Sequence, residues 1–564
     1  MPKKLLLACL SALTMMNAAA QPAANEKPAV ERSTPFDEPE NGASRLLLMK
    51  NGNTLFFTFT RKKGINVTVY TPAHQALPLI NSRVSSWKNK KMGAAKLEGF
   101  FEMNGQAVVF LQQYVHRKPC LYRFLFDGKT GKLVEEKLIG DLPRISFGQG
   151  YAIAFGGMKM PDFSVKKDPL SDYYAVTMLN SRAHETGERL RVIHFGPDHK
   201  IINDGYFDTP AGNYKYINLA DMHVNGSKSV FLAAFAYNTR ASGGKDSRFA
   251  IGILPAGSNT FKSALLDHTD DLKLRNAALK FNPADSNIYL LTTVYPKSPG
   301  AEAIMSRDNS IKLALMMNVV NPQTLALKRH YFVKHPMLDK YAQEHLKYKK
   351  KYQGVIQDFN LNADGSVQLL MEEMDVIVHT YTSTSGSGAS STSTTVTTRL
   401  GEIGISQLSP AGKETGGYAI AKAQEARVAL DIFDLNKRNQ SNWNFRGKGI
   451  TGNNLSGFYS YDFFRANQKD YIIYNDYAIN KENDNENYRS KKKVNFAGKT
   501  NTICAIYDGK DISKTYLYGE PQGNESRFSQ MEMISRQDDG RSFATMMIER
   551  KGREKRAYIV WVKL

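Results

Sequence analysis

Eight times along the chain an apolar stretch meets a short turn and a second, more strongly apolar strand, and most copies continue into a third and a fourth. The turns align where residues 46–50, Asn51-Gly52 and 54–60 are set beside 100–103, Asn104-Gly105 and 107–114. The pattern returns at 222–224, Asn225-Gly226 and 229–237, and again at 359–361, 362–365 and 367–371. Asn-Gly is a two-residue hairpin signal, and residues 65–70 alternate an apolar with a mixed face as a strand does. Four-stranded units recurring at tens of residues predict an all-β fold, a closed β-propeller with a short helical insertion. The units fall near 45–85, 95–142, 143–205, 213–270, 274–335, 352–416, 455–520 and 525–564. The third has a weak first strand at 145–147, and the last shows only three strands. That deficit predicts closure by the N-terminal leader or by the first strand. If 46–50 closed the ring there would be seven blades; eight is preferred because 45–80 already reads as a complete unit.

First-to-second and third-to-fourth connections read as tight turns, and second-to-third connections as long and irregular: 156–172, 238–248, 296–310, 380–395 and 479–493. Alternate turns of an antiparallel blade lie at the same end, so the long ones share a face, where function is expected. Two insertions stand apart. Residues 336–351 read as a helix with Leu338, Tyr341, His345 and Tyr348 on one stripe. Residues 417–454 open with a helix-like run at 419–430 and end in a Gly/Asn-rich loop. The Ser/Thr-rich loop 380–398 reads as a mobile excursion.

Composition adds a compartment. Residues 1–20 read as a signal peptide, with Lys3-Lys4, an apolar run at 5–16 and small Ala18 and Ala20 before Gln21. A lipoprotein reading through Cys9 fits poorly, leaving a core of about four apolar residues against the usual ~7–15. Residues 21–44, rich in Pro, Glu and Ala, read as a disordered leader to a propeller spanning 45–564. No second segment is apolar enough to span a membrane, so the expectation is a periplasmic or extracellular protein. The remaining cysteines, Cys120 and Cys504, fall on third strands of non-adjacent units and should stay unbridged.

Units six and seven resemble a group of uncharacterised exported proteins from Bacteroidota. The resemblance is carried by 369–374, the Ser/Thr tract, Gly401-Glu402-Ile403, residues 408–414 and 471–476. It implies export and a propeller, and it implies no activity.

Candidate chemistry is sparse. The 11 histidines are scattered without a ligand motif, and the amide- and acid-rich 483–487 lacks the glycine and spacing of a calcium loop. No metal or cofactor is implied. Gly386-Ser387-Gly388 lacks the strand–turn–helix setting of a nucleophile elbow, and Asp538-Asp539-Gly540 imitates a sialidase Asp box only once. Glu372, Glu373 and Asp375 end one second strand and Asp476 ends the next, so Glu372, Glu373 and Asp476 are candidate acid–base carboxylates for glycan processing.

The net charge of +21 points to an anionic partner: an acidic polysaccharide, a lipid headgroup or an envelope protein, with nucleic acid disfavoured by the compartment. Basic runs on the loop-rich face are Arg61, Lys62 and Lys63; Arg117 and Lys118; Lys491, Lys492 and Lys493; and Arg550, Lys551, Arg553 and Lys555. Ring closure would join units seven, eight, one and two, turning these runs into one basic arc. The leading expectation is a non-catalytic exported propeller that binds its partner there. A glycan hydrolase or lyase, or a structural subunit of an envelope assembly, are the alternatives.

Overall fold

The computed structural model describes residues 27–39, 42–60, 64–86, 95–144, 161–181, 183–210, 214, 216–238, 247–266, 272–296, 314–384, 390–427, 448–449, 455–482, 487 and 490–564. The strands pair into eight antiparallel sheets, and first strands of neighbouring blades lie side by side. The chain is an eight-bladed β-propeller. Blades 1 to 7 occupy 43–82, 96–141, 162–207, 216–266, 272–332, 355–420 and 461–516. Blade 8 is built from both chain ends. Its strands Glu525–Ser529, Ser542–Lys551 and Glu554–Lys563 are completed by Ala29–Arg32, which pairs with the last of them.

Alternation along the strands explains the ring. Both faces of a blade are apolar, and each face packs on a different neighbour. Leu55, Phe57 and Phe59 of blade 1 face Val109, Leu111 and Phe126 of blade 2. The interleaved Val108 and Phe110 turn the other way, toward Phe163 and Val165 of blade 3. Among the described residues there are eight such clusters in all, one for each of the eight interfaces. At the inner ends of the blades the interfaces also carry buried charge, between first strands for two pairs and from the Met531–Met533 turn of blade 8 for the third. Lys166 meets Asp221 at 3.0 Å, Lys280 meets Asp358 at 2.9 Å, and Arg45 meets Glu532 at 2.7 Å.

Several expectations need correction. The leader is not disordered throughout, because Ala29–Arg32 finds an unpaired strand edge to complete. The first strand of blade 3 is Asp162–Lys167; 145–147 lies outside the described residues, as does the signal segment. The run at 419–430 does not open as helix. Glu414–Ile420 is the fourth strand of blade 6, since Ala419 and Ala421 pack toward blade 5 while Tyr418 and Ile420 pack toward blade 7. The Ser/Thr tract is a regular ribbon, its β-branched residues continuing the Val367–Thr384 and Ser390–Leu408 hairpin. Second-to-third connections are long in blades 3, 4, 5 and 7 but tight in blades 1, 2 and 8.

The helical insertion is Pro336–His345, with Leu338 and Ala342 buried. Its exposed backbone donors are capped from blade 6, where the Glu414 carboxylate accepts Met337 N at 2.5 Å and Leu338 N at 3.3 Å. Cys120 and Cys504 are free and buried.

Closure rests on Trp561. Its indole N–H donates to Thr54 Oγ1 at 2.8 Å, and its ring stacks on His74 of blade 1 at 3.8 Å. Glu31 of the N-terminal strand meets the same His74 at 2.7 Å. Trp561→Ala should therefore cost about 3–5 kcal/mol, read as a lowered denaturant midpoint. A loss below about 1 kcal/mol would show that closure does not depend on this clasp.

Candidate functional site

Second-to-third connections, fourth-to-first connections and the Pro336–His345 helix share one end of the ring. Two constellations occupy it: a carboxylate cluster on blade 6 and a groove on blade 7.

Glu372 and Glu373 are consecutive yet play different parts. Glu372 is sealed from solvent against Lys422, 2.7 Å away, and also accepts from Ser460 Oγ at 2.6 Å and Gln357 Nε2 at 3.0 Å. It anchors blade 6 to the start of blade 7. Glu373 falls in a bulge: Glu372 pairs with Ile403 and Met374 with Leu400, so Glu373 stands opposite Gly401-Glu402. Gly401 makes room, since a Cβ there would lie 3.0 Å from Glu373 Cβ.

The bulge brings Glu373 within hydrogen-bonding reach of Glu402. Burial first, and then the charge of Glu373, push the Glu402 carboxyl up to about 7. Burial likewise raises Glu373, so the pair holds a shared proton. Tyr348 donates to Glu402 Oε2 at 2.6 Å, Tyr352 donates to its carbonyl oxygen at 2.9 Å, and Lys350 and Lys422 supply the nearby positive charge. Asp476 is buried too, accepting from Asn480 Nδ2 at 2.6 Å and Tyr477 N at 2.8 Å, with burial pushing it up to about 6. The three carboxylates singled out in sequence thus do not converge on one open cleft. Glu402, which pairs with Glu373, and Tyr348, which donates to it, carry no chemical signal in sequence because only the bulged register brings the two carboxyls together.

The basic runs fare unevenly. Arg61, Lys62 and Lys63 lie outside the described residues. Lys118 is paired with Asp141 at 2.8 Å, Lys551 with Glu525 at 3.0 Å, Lys493 with Glu425 at 3.9 Å, and Lys555 with Glu38. Lys491 is buried and donates to Asn480 O at 2.8 Å. Arg117 and Arg553 stay exposed at turn tips. The intended arc is therefore largely neutralised at its own foot.

Lys492 lines a groove on blade 7, and Arg550 stands beside that groove's Phe496. The 477–500 connection is folded back by Asn480, whose side chain binds Asp476, Lys492 O and Lys492 N. Between the short Ala478–Glu482 helix and residues 495–499 lies a groove of about 660 Å³. Tyr477, Ile479 and Phe496 form its apolar surface, with Lys492, Lys499 and Asn495 around them. Ile479 is 55% exposed and Phe496 49%, high for such side chains. The Arg550 guanidinium of blade 8 stands 5.6 Å from the Phe496 ring, and Lys492 Nζ stands 5.5 Å from that of Tyr477. Phe496 and Lys499 carried no signal in sequence beyond an unremarkable loop.

No family model and no curated protein matches the chain. Solved structures similar to it include the polysaccharide lyase Uly1, at 10% identity over 83% of this chain and 90% of that one, TM-score 0.34. A member of the DUF4221 family from Bacteroides vulgatus matches at 12% identity over 75% and 94%, TM-score 0.28. The β-propeller domain of the Trilobed protease from Pyrococcus furiosus matches at 8% identity over 83% and 95%, TM-score 0.30. At such low scores these likenesses carry no functional argument.

The carboxyl pair makes stability depend on pH. With its folded value raised from 4.5 to about 7, Glu402 contributes stability that is present below 4.5 and lost as pH rises through about 7. Glu402→Gln should therefore gain about 1–3 kcal/mol on the parent protein between pH 5 and pH 8. Parallel melting curves for the two across that range would rule the shared proton out.

Proposed function

We propose that the protein is an exported, non-catalytic binding propeller that holds an acidic glycan on its loop-rich face, across the blade 7 groove. One juxtaposition carries this reading: Lys492, Lys499 and Arg550 gather around a surface of exposed Ile479 and Phe496 and half-buried Tyr477. A sugar ring offers an apolar C–H face and a polar rim, and an aromatic surface flanked by an amide and amines complements both. An acidic substituent then gives the lysines and the arginine a partner, since none of the three is in an ion pair among the described residues. The net charge of +21 adds long-range attraction for a polyanion. Burial of Glu372 and Asp476 favours binding over the two-carboxylate chemistry of a glycosidase, which needs carboxyl groups ~5–9.5 Å apart across a substrate.

Affinity for a uronate-rich polysaccharide and for a neutral one of similar length tests the reading. The acidic chain should bind more tightly and weaken steeply as salt shortens the screening length to ~8 Å at physiological ionic strength. Reversing Lys492, Lys499 and Arg550 to Glu should cost at least ~10-fold in affinity, while the same change at Lys347, Lys349 and Lys351 should leave it within about twofold. Equal losses from both triple variants would leave only bulk attraction and sink the groove. Binding to anionic vesicles, with none to the polysaccharide, would move the assignment to a lipid headgroup. Export predicts a mature chain beginning at Gln21, which intact-mass measurement of the secreted protein checks.

A further inference from the structure

The hairpin of blade 6 outgrows its blade. Its first-strand neighbour ends at Val355 opposite Glu372, and the short Gln424–Ala426 strand covers the other edge only at Thr398–Leu400. Beyond that point eight consecutive rungs, from Ile377↔Thr397 to Thr384↔Ser390, form a two-stranded ribbon. At ~3.4 Å per residue the ribbon extends about 27 Å. Among the described residues neither of its outer edges meets another strand.

Such an edge is normally guarded by charge, proline or a bulge. Here the guards are missing. From 376 to 398 there is no Asp, Glu, Lys, Arg or Pro, in a chain that is 23% charged overall. Threonine, valine and tyrosine favour extended backbone, and Val376, Val378 and Tyr381 are 39%, 42% and 59% exposed. A two-stranded ribbon alone in water is marginal, and a third and fourth strand would stabilise it.

We propose that this ribbon docks onto the same ribbon of a second copy, edge to edge, forming a four-stranded antiparallel sheet about a twofold axis. Charge selects the occupant. The ribbon has no charge with which to choose a charged partner, whereas an identical strand is self-complementary under twofold symmetry. The +21 bodies repel one another at short range, but that repulsion is screened within ~8–10 Å. Paired side by side, the overlapping ribbons hold the bodies about 27 Å apart, well beyond that distance. The strip is narrow and falls below the ~1,200 Å² of a standard interface, so the dimer should be weak and concentration-dependent.

Sedimentation velocity of the mature protein from about 1 to 200 µM tests this, a range chosen for a micromolar contact. A dimer should appear at the upper end and persist at about 0.5 M salt, where glycan binding through the groove should be lost. Val378→Lys with Tyr381→Lys should lower the dimer fraction at least ~10-fold by placing like charges across the new pairing, with melting temperature unchanged. Removal of residues 382–394 should do the same and leave the blades folded, since long hairpin connections cost only about 0.6 kcal/mol per doubling to close. A parent protein that stays monomeric throughout, or a dimer that both variants retain, overturns the proposal. A dimer that dissolves in salt would place the contact on the charged body and overturns it equally. None of these outcomes bears on the groove, whose lysines lie on blade 7.

Discussion

Everything in this molecule depends on one antiparallel pairing, Ala29–Arg32 against the C-terminal strand of blade 8. Each blade is apolar on both faces and can hide them only between two neighbours. A linear array of such blades would always leave two apolar faces and a free strand edge in water. Pairing the chain ends covers the edge of the long C-terminal strand with a four-residue one and fixes blade 8 against blade 1, where Leu46, Phe56 and Tyr70 pack on Met533, Met546 and Trp561. Glu31, His74, Trp561 and Thr54 then tie the N-terminal strand, the C-terminal strand and blade 1 at one spot. A few residues of leader thus decide whether several hundred downstream can close.

Packing alone would let neighbouring blades slide, because apolar contact is non-directional. The buried polar contacts between blades supply direction. Arg45 with Glu532 is sealed on both sides, and such a pair gives little net stability but is costly to separate. Between blades 6 and 7 the same task falls to Glu372, held by Lys422 and Ser460, and to Asp470, which accepts from Tyr418 and Gln368. Glu372, which invites a catalytic reading from its strand-end position, thereby acts as a pin between blades. The neighbouring Glu373–Glu402 pair, like Asp476 of blade 7, is instead raised toward neutrality by burial.

How much of this was legible follows from which interactions are local. Asn-Gly turns and period-two alternation are properties of a few adjacent residues, so the blades, their number and the need for closure could be read directly. Cys120 and Cys504 could be placed on third strands for the same reason. The run at 419–430 misled because alanine is helix-favouring, and packing between two blades overrode that preference. Ser/Thr richness suggested mobility at 380–398, yet the residues are β-branched and each faces a partner in register, as Thr382 faces Thr392. What stayed hidden was non-local. Whether Glu373 meets Glu402 depends on a one-residue bulge, and whether Phe496 meets Arg550 depends on how blade 7 sits beside blade 8.

The ring also explains why unusual features gather on blades 6 and 7. Blades 1 and 2 close their second-to-third connections in two or three residues, and blade 8 ends in a similarly tight turn. These flank the closure, where a long loop would add entropy beside the joint that the whole ring relies on. Blade 6, with its ribbon and capped helix, is not adjacent to blade 8, and blade 7, whose Tyr518 carbonyl accepts from Arg32 of the N-terminal strand, carries its folded-back loop while its strands stay paired. The groove borrows only Arg550 from blade 8, and it takes that residue from the end of a regular strand rather than from a loop. Rigidity where the chain closes and elaboration beside it are two consequences of the same constraint.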